Sequence, residues 1–329
     1  MIEQKSAPFT RPWVLCALAC VCCGLWGSAY ACVKLGYAMC AVDTAHTPSI
    51  ILFAGMRFFL AGLLAVAIGS IGARRFLRPG SIRTWRHVAC LSLLQTIIQY
   101  VLFYIGLAHA SGVKSSIIGS SGAFVSLLVA ALLFRQEKLT GRKLLGCVIG
   151  FAGVVLVNVS QGSLGGGFHW NGEGFVFLST VSYAFSSVCL KRFSAEDDPV
   201  LLSGWQFVVG GAVMMLCGAA LGGHAAPQSP QALLMLLYLA CISAVAYSLW
   251  GILLKYNPVS RVSVFGFMTP VFGVILSTIL LREHGQASGL SGMAALLLVC
   301  CGIYIVNSTG RRARGQEIKP SEGGNRHDL

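Results

Sequence analysis

Apolar residues run along this chain in long blocks separated by short polar breaks, instead of alternating with polar positions as in a half-buried strand. The blocks fall at 13–36, 49–72, 88–108, 115–134, 144–160, 174–190, 200–221, 232–254, 262–281 and 289–307. Each approaches or exceeds the roughly 20 helical residues needed to cross a hydrocarbon core about 30 Å thick. The pattern therefore predicts an all-α integral membrane protein with ten transmembrane helices. The first block is too long for a signal-peptide core and no convincing cleavage site follows it, so it is expected to remain as a spanning helix. The polar stretch 308–329, rich in Gly, Arg and Glu, is expected to be a disordered basic tail.

Composition agrees with a lipid solvent. Hydrophobic residues make up 56% of the 329, charged residues only 11%, and mean hydropathy is +0.75. Soluble domains carry about 25% charged residues, so a water-facing globule is excluded. A net charge of +13 raises nucleic acid as a partner, but the basic residues form no contiguous patch with groove-reading elements, and none is expected. They gather instead in alternate breaks: Lys5 and Arg11; Arg74, Arg75, Arg78, Arg83 and Arg86; Arg135, Lys138, Arg142 and Lys143; Lys191 and Arg192; Lys255 and Arg261; and the tail. Basic residues are retained in cytoplasmic loops, so the bias predicts a multi-pass inner (plasma) membrane protein with both termini in the cytoplasm. All thirteen cysteines but Cys40 lie in apolar blocks, so no external disulfide is expected.

The two halves echo one another in order. Trp26 to Lys34 in the first block has the spacing of Tyr183 to Lys191 in the sixth. Gly55, Arg57 and Phe58 correspond to Gly204, Gln206 and Phe207, Tyr100 to Tyr247, Lys114 to Arg261, Glu137 and Gly146 to Glu283 and Gly292, and Gly153 to Asn158 to Gly302 to Asn307. Each half has an odd number of spans, so the second must enter the membrane with opposite orientation. The expected organisation is a cytoplasmic N-terminus at 1–12, a five-helix repeat at 13–160, an external connection at 161–173, an inverted five-helix repeat at 174–307, and the tail at 308–329. Inverted repeats can exchange conformations around a shared cavity.

Several segments carry a family resemblance. Leu25-Trp26-Gly27-Ser28 through Lys34, Arg57, Tyr247-Ser248-Leu249-Trp250, Pro258-Val259-Ser260-Arg261-Val262, Thr269-Pro270-Val271-Phe272 and Glu283 with its following glycines resemble the EamA-like permeases of the drug/metabolite transporter superfamily. The resemblance covers residues 13 to 307. It implies ten helices in two inverted five-helix repeats, a central cavity formed mainly by the first four helices of each half, and export of amino acids or other small metabolites. Phe124 stands where the first repeat would otherwise match Pro270.

Polar side chains inside lipid must meet a partner or a cavity. Gln95, Gln99 and Tyr100 in the third block and Ser243, Tyr247 and Trp250 in the eighth lie near the expected midplane, with Gln95/Gln99 and Ser243/Tyr247 at the spacing that shares a helix face. Trp26 and Tyr30, with Tyr183 and Ser186, form a second set. Two readings stand for all ten: aromatic and polar walls for a small amphipathic solute, or hydrogen bonds that join helices. Arg57, about 10 Å inside its block, either binds a substrate carboxylate or serves structurally by binding carbonyls or snorkelling outward. Lys34 and Lys191 end their helices, as interface anchors or gate residues. Thr269-Pro270 frees a carbonyl one turn back and suggests a hinge, while Gly119, Ser120, Ser121 and Gly122 allow close approach or bending in the matching helix.

None of the eleven acids falls in the middle of a block. Coupling through a midplane carboxylate is therefore not expected. Transport would be downhill or by exchange, or would use a peripheral group such as Glu137 or Glu283, both expected to be solvated or paired with Arg135, Lys138 and Arg282. No HExxH, GxSxG, Walker A or CxxC with a partner histidine occurs, so neither catalysis nor a cofactor or metal is expected. The expected partners are the lipid bilayer, a small-molecule substrate and a second copy of the chain as a candidate homodimer. An intramembrane enzyme or a sensor or scaffold without transport is the alternative.

Overall fold

The computed structural model describes residues 8–110, 115, 118–159, 169–273 and 290–316, and a few side chains inside the helices, among them those of Tyr30 and Lys34, lie outside the description. Among the described residues all regular structure is helical. The principal elements are α1 (Pro12–Met39), α2 (Thr47–Ala73), α3 (Ile82–Leu91), α4 (Gln99–His109), α5 (Gly122–Leu128), α6 (Gly141–Val159), α7 (Phe175–Phe193), α8 (Pro199–Ala220), α9 (Pro230–Tyr256), α10 (Val259–Ser263) and α11 (Leu290–Gln316). A π-helical turn, Ser92–Ile98, joins α3 to α4 in one continuous rod. Further π turns extend α5 (Val129–Leu133) and precede α7 (Trp170–Gly174).

Six helical stretches are long and apolar enough to cross a membrane: Pro12–Ala29, Thr47–Ala73, Ile82–Gly106, Trp170–Phe193, Pro199–Ala220 and Pro230–Tyr256. Ile118–Leu133 and Ala294–Ser308 are shorter apolar helices. Glu283 and part of the ninth block lie outside the described residues.

Local chemistry sets the helix starts. Pro199 and Pro230 occupy the first turns of α8 and α9, where a missing N–H costs nothing, and each follows a capping side chain. Asp198 Oδ1 accepts from Val200 N at 2.8 Å and Leu201 N at 3.0 Å. Ser81 caps α3 in the same way, accepting from Thr84 N at 3.1 Å. That cap starts the third span at Ile82, ahead of residue 88 where its apolar block begins, because the added turns put Arg83 and Arg86 outward and bury Thr84 and Val88. At the other end α11 continues to Gln316, into the stretch expected to be disordered.

Small residues bring the rods together. α2 crosses α8 so closely that a Cβ on Gly62 would lie 2.4 Å from Val208 N and 2.7 Å from Gly204 O. One on Gly211 would lie 2.4 Å from Phe59 N and 3.0 Å from Gly55 O. α6 and α11 meet similarly at Gly146 and Gly302. Around these crossings α1 packs on α9, and α7 packs on α4 and its preceding π turn; α9 also packs on α2, and α8 on that π turn. Two apolar clusters result, and Leu25 and Trp26 touch both.

Candidate functional site

Where the two clusters meet, aromatic rings from five rods form a continuous wall. Trp26 of α1 stands edge-on to Tyr247 and Trp250 of α9, with centroids 5.2 and 4.9 Å apart. Tyr247 meets Phe207 of α8 at 4.9 Å, Phe207 stacks on Phe58 of α2 at 5.2 Å, and Phe58 leans on Tyr100 of α4 at 4.2 Å. The phenols of Tyr100 and Tyr247, positions matched in the sequence pattern, hydrogen-bond to each other. Edge and offset contacts of this kind contribute about 0.5–1.5 kcal/mol per pair beyond burial. Phe58, Phe207 and Tyr104 were not among the sequence candidates, although Phe58 and Phe207 flank the matched pair Arg57 and Gln206.

Arg57 is 5% exposed. Because α2 begins at Thr47, Arg57 sits about 15 Å along the rod rather than about 10 Å. It neither snorkels nor caps a helix end. Its Nε donates to Leu239 O at 3.3 Å, one Nη to Ser243 Oγ at 3.0 Å and the other to Tyr104 Oη at 3.5 Å, all neutral acceptors. Gln206, matched to it in the sequence pattern, donates from Nε2 to Gln95 Oε1 at 2.7 Å, both side chains fully buried. Ser92 Oγ adds a bond to Gln206 O at 3.0 Å.

The other candidates divide. Gln95 lies in the π turn, where the widened backbone departs from the one-face spacing expected of Gln95 and Gln99. Gln95 is bound to α8, while Gln99 Oε1 is buried without a partner, as is Trp26 Nε1. Ser243 accepts from Arg57 and donates to Leu239 O. Ser186 Oγ turns back to Tyr183 O at 2.8 Å, within its own helix. Tyr183 packs near Gly122 of α5. Ser121 Oγ donates to Ile118 O at 2.6 Å, and Ser120 is buried. Ahead of Thr269 and the buried Pro270 the backbone tightens into a 3-10 turn, Val264–Phe267. Thr269 O lies 3.0 Å from where a Cβ on Gly27 would stand, so α1 approaches this bend closely.

At one end of the bundle Lys191 donates Nζ to Leu254 O at 3.0 Å and Asn257 O at 2.5 Å, capping the last carbonyls of α9. Glu137 beside it is neither solvated nor paired with Arg135 or Lys138. Its side chain is 6% exposed and binds Lys143 Nζ at 2.5 Å, and its carboxylate accepts from Ser260 N at 2.9 Å and from Ser260 Oγ. Arg135 is exposed, in a left-handed turn with φ 50° that folds Glu137 back onto the first turn of α10. The sequence reading also missed Glu173, buried at 4% in the first turn of its span, whose Oε2 accepts from His169 N at 2.9 Å. A cleft of about 700 Å³ opens along Ala131–Leu139, Glu137 among its lining residues, and one of about 350 Å³ lies beside Arg75–Arg78.

Among the described residues no group of three or more His, Cys, Asp or Glu side chains could hold a metal. The arrangement is an aromatic wall with the buried Arg57, amides and hydroxyls packed against it, several of their polar atoms buried without a partner.

Comparison with known proteins places these features in context. The EamA-like transporter family profile matches residues 12–159 and 170–308. An uncharacterized transporter of Bacillus subtilis (strain 168), YvbV, is 25% identical over 97% of this chain and 99% of its own length. The WAT1-related chloroplastic protein At3g02690 of Arabidopsis thaliana is 28% identical over 77% of this chain, which spans 62% of that protein. A crystal structure superposes with a TM-score of 0.75 at 18% identity, covering 92% of this chain and 99% of the other, a likeness of fold.

Proposed function

Because the chain belongs to the EamA-like transporter family of the drug/metabolite transporter superfamily, we propose that it moves a small organic metabolite, an amino acid or related compound, across the inner membrane by alternating access, as an exporter. It is a multi-pass membrane protein embedded in lipid. Under this reading residues 13–160 and 174–307 are two inverted five-helix repeats, ten spans in all, with residues 161–173 outside and both termini in the cytoplasm. The aromatic wall is where the substrate passes. Trp26, Gln99, Tyr100, Tyr183, Tyr247 and Trp250 line its path, while Gln95, Ser186 and Ser243 fix helices around it.

The mirrored contacts carry this proposal. Tyr100 meets its own equivalent, Tyr247. The Gly62–Gly204 approach is matched by Gly211–Gly55. The bond from Arg57 to α9 is matched by that from Gln206 to the turn before α4. A two-fold axis between the halves generates such pairs, and two bundles so related can exchange conformations around the axis. Thr269 and Pro270, with Ser120 and Ser121, supply the bending points. Lys191 and Glu137 act at the helix ends that open and close, whereas α1 continues past Lys34 to Met39.

The test compares metabolites in medium and cells with and without expression, alongside tags at both termini. Export predicts accumulation of a small organic solute outside and both tags in the cytoplasm. Unchanged metabolites refute transport, and termini on opposite sides refute the even span count.

A further inference from the structure

Resting on the transport reading, we propose that Arg57 is the anchor for a carboxylate on the transported solute, so that the substrate class is small carboxylates with an apolar or aromatic body. A guanidinium has five N–H donors; Arg57 commits three, one of them at 3.5 Å, and all to neutral acceptors. No carboxylate among the described residues pairs with it, and its charge is taken out of water at 5% exposure. A cation so placed is costly in a membrane unless an anion reaches it.

A structural role does not account for the charge. Tying α2 to α9 is the task that Gln206 performs between α8 and the Ser92–Ile98 turn, and there a neutral amide suffices. Charge is what distinguishes position 57 from its sequence match at 206. Its surroundings suit the rest of a solute: Phe58, whose ring centroid lies 5.2 Å from the guanidinium carbon, with Tyr100 and Tyr104 adjoining. The planar fork of two parallel N–H bonds matches a carboxylate, and the unpartnered Gln99 Oε1 offers an acceptor to a solute N–H or O–H beside it.

Proteoliposomes of the full chain distinguish the possibilities. The probes are phenylacetate, isovalerate, L-leucine and L-phenylalanine, each with its primary amide. Wild type is expected to move at least one acid and to discriminate against its amide by at least about tenfold, the loss of one charge-assisted pair. Arg57→Gln, which installs the residue found at 206, is expected to lose that discrimination and to raise the apparent KM for the acid. Equal movement of acid and amide by wild type, unchanged discrimination in Arg57→Gln, or movement of none of the four acids overturns the assignment. The wild-type comparison stands if Arg57→Gln fails to fold. Metabolite release from cells without any carboxylate among the released compounds defeats the anchor alone, whereas no change in any metabolite defeats the transport reading beneath it.

Discussion

Replacing Glu137 removes a tie that crosses from the end of the fourth span to the first turn of α10. The carboxylate is 6% exposed and its Lys143 partner 14% exposed, and it also receives the backbone N–H and hydroxyl of Ser260, a residue 1% exposed. Hydrogen bonds to a charged group contribute about 1.5–3 kcal/mol, and a buried donor left without an acceptor costs about 1–3 kcal/mol. Glu137→Ala should therefore destabilise the protein by about 3 kcal/mol, within the range for breaking a buried pair. Glu137→Gln keeps an acceptor for Ser260 and should cost about half as much. A double-mutant cycle with Lys143→Met, read by equilibrium unfolding in mixed micelles, should give a coupling of about 1.5 kcal/mol or more. Exposed ion pairs give about 0.2–1 kcal/mol, so a coupling below about 0.5 kcal/mol, or Glu137→Ala and Glu137→Gln costing the same, would refute the placement of this carboxylate as a buried bridge.

Other consequences follow from the same geometry. Gly62→Ala places a methyl against the backbone of α8 and should cost about 1–3 kcal/mol, read as lowered thermal stability in detergent; wild-type stability would contradict the close crossing. Tyr100→Phe and Tyr247→Phe should each cost about 1 kcal/mol, with the double variant no worse than either single, since they delete one shared bond; additive losses would show that the phenols act separately. Cysteines placed at 26, 100 and 247 in a cysteine-free background should react with a hydrophilic reagent, and uniform protection would argue against a substrate path along the aromatic wall. Uptake at a fixed substrate gradient should survive collapse of the proton gradient; its abolition would argue against downhill transport or exchange and point to a peripheral coupling group such as Glu137.

The rods were readable because lipid imposes one rule: every backbone polar group must be satisfied within the helix, so a long apolar block has a single folded form. Boundaries were less readable because they depend on caps. Ser81 starts the third span ahead of its apolar block, and α11 runs on past the last apolar block to Gln316. Arg57 lies further along its helix than its place in the apolar block indicates, because α2 begins at Thr47, ahead of that block.

Side-chain partners across the bundle were the least legible layer, and the reason separates Gln95 from Gln99. Both are glutamines in one apolar block, four positions apart, and spacing assigns them the same face. The π turn at Ser92–Ile98 adds backbone between them, sends Gln95 to Gln206, and leaves Gln99 Oε1 buried without a partner. No periodicity in the chain announces that turn, because a π insertion is stabilised by what it packs against rather than by its own residues. The sequence match between the halves offers a guide under the proposed two-fold relation: Gln206 is the position matched to Arg57, and the third span, which holds its partner Gln95, is matched to α9, where Arg57 finds Ser243. Reading polar membrane residues as pairs across a two-fold axis thus assigns Gln95 to the scaffold, and leaves the charge of Arg57 as the feature that the scaffold does not require.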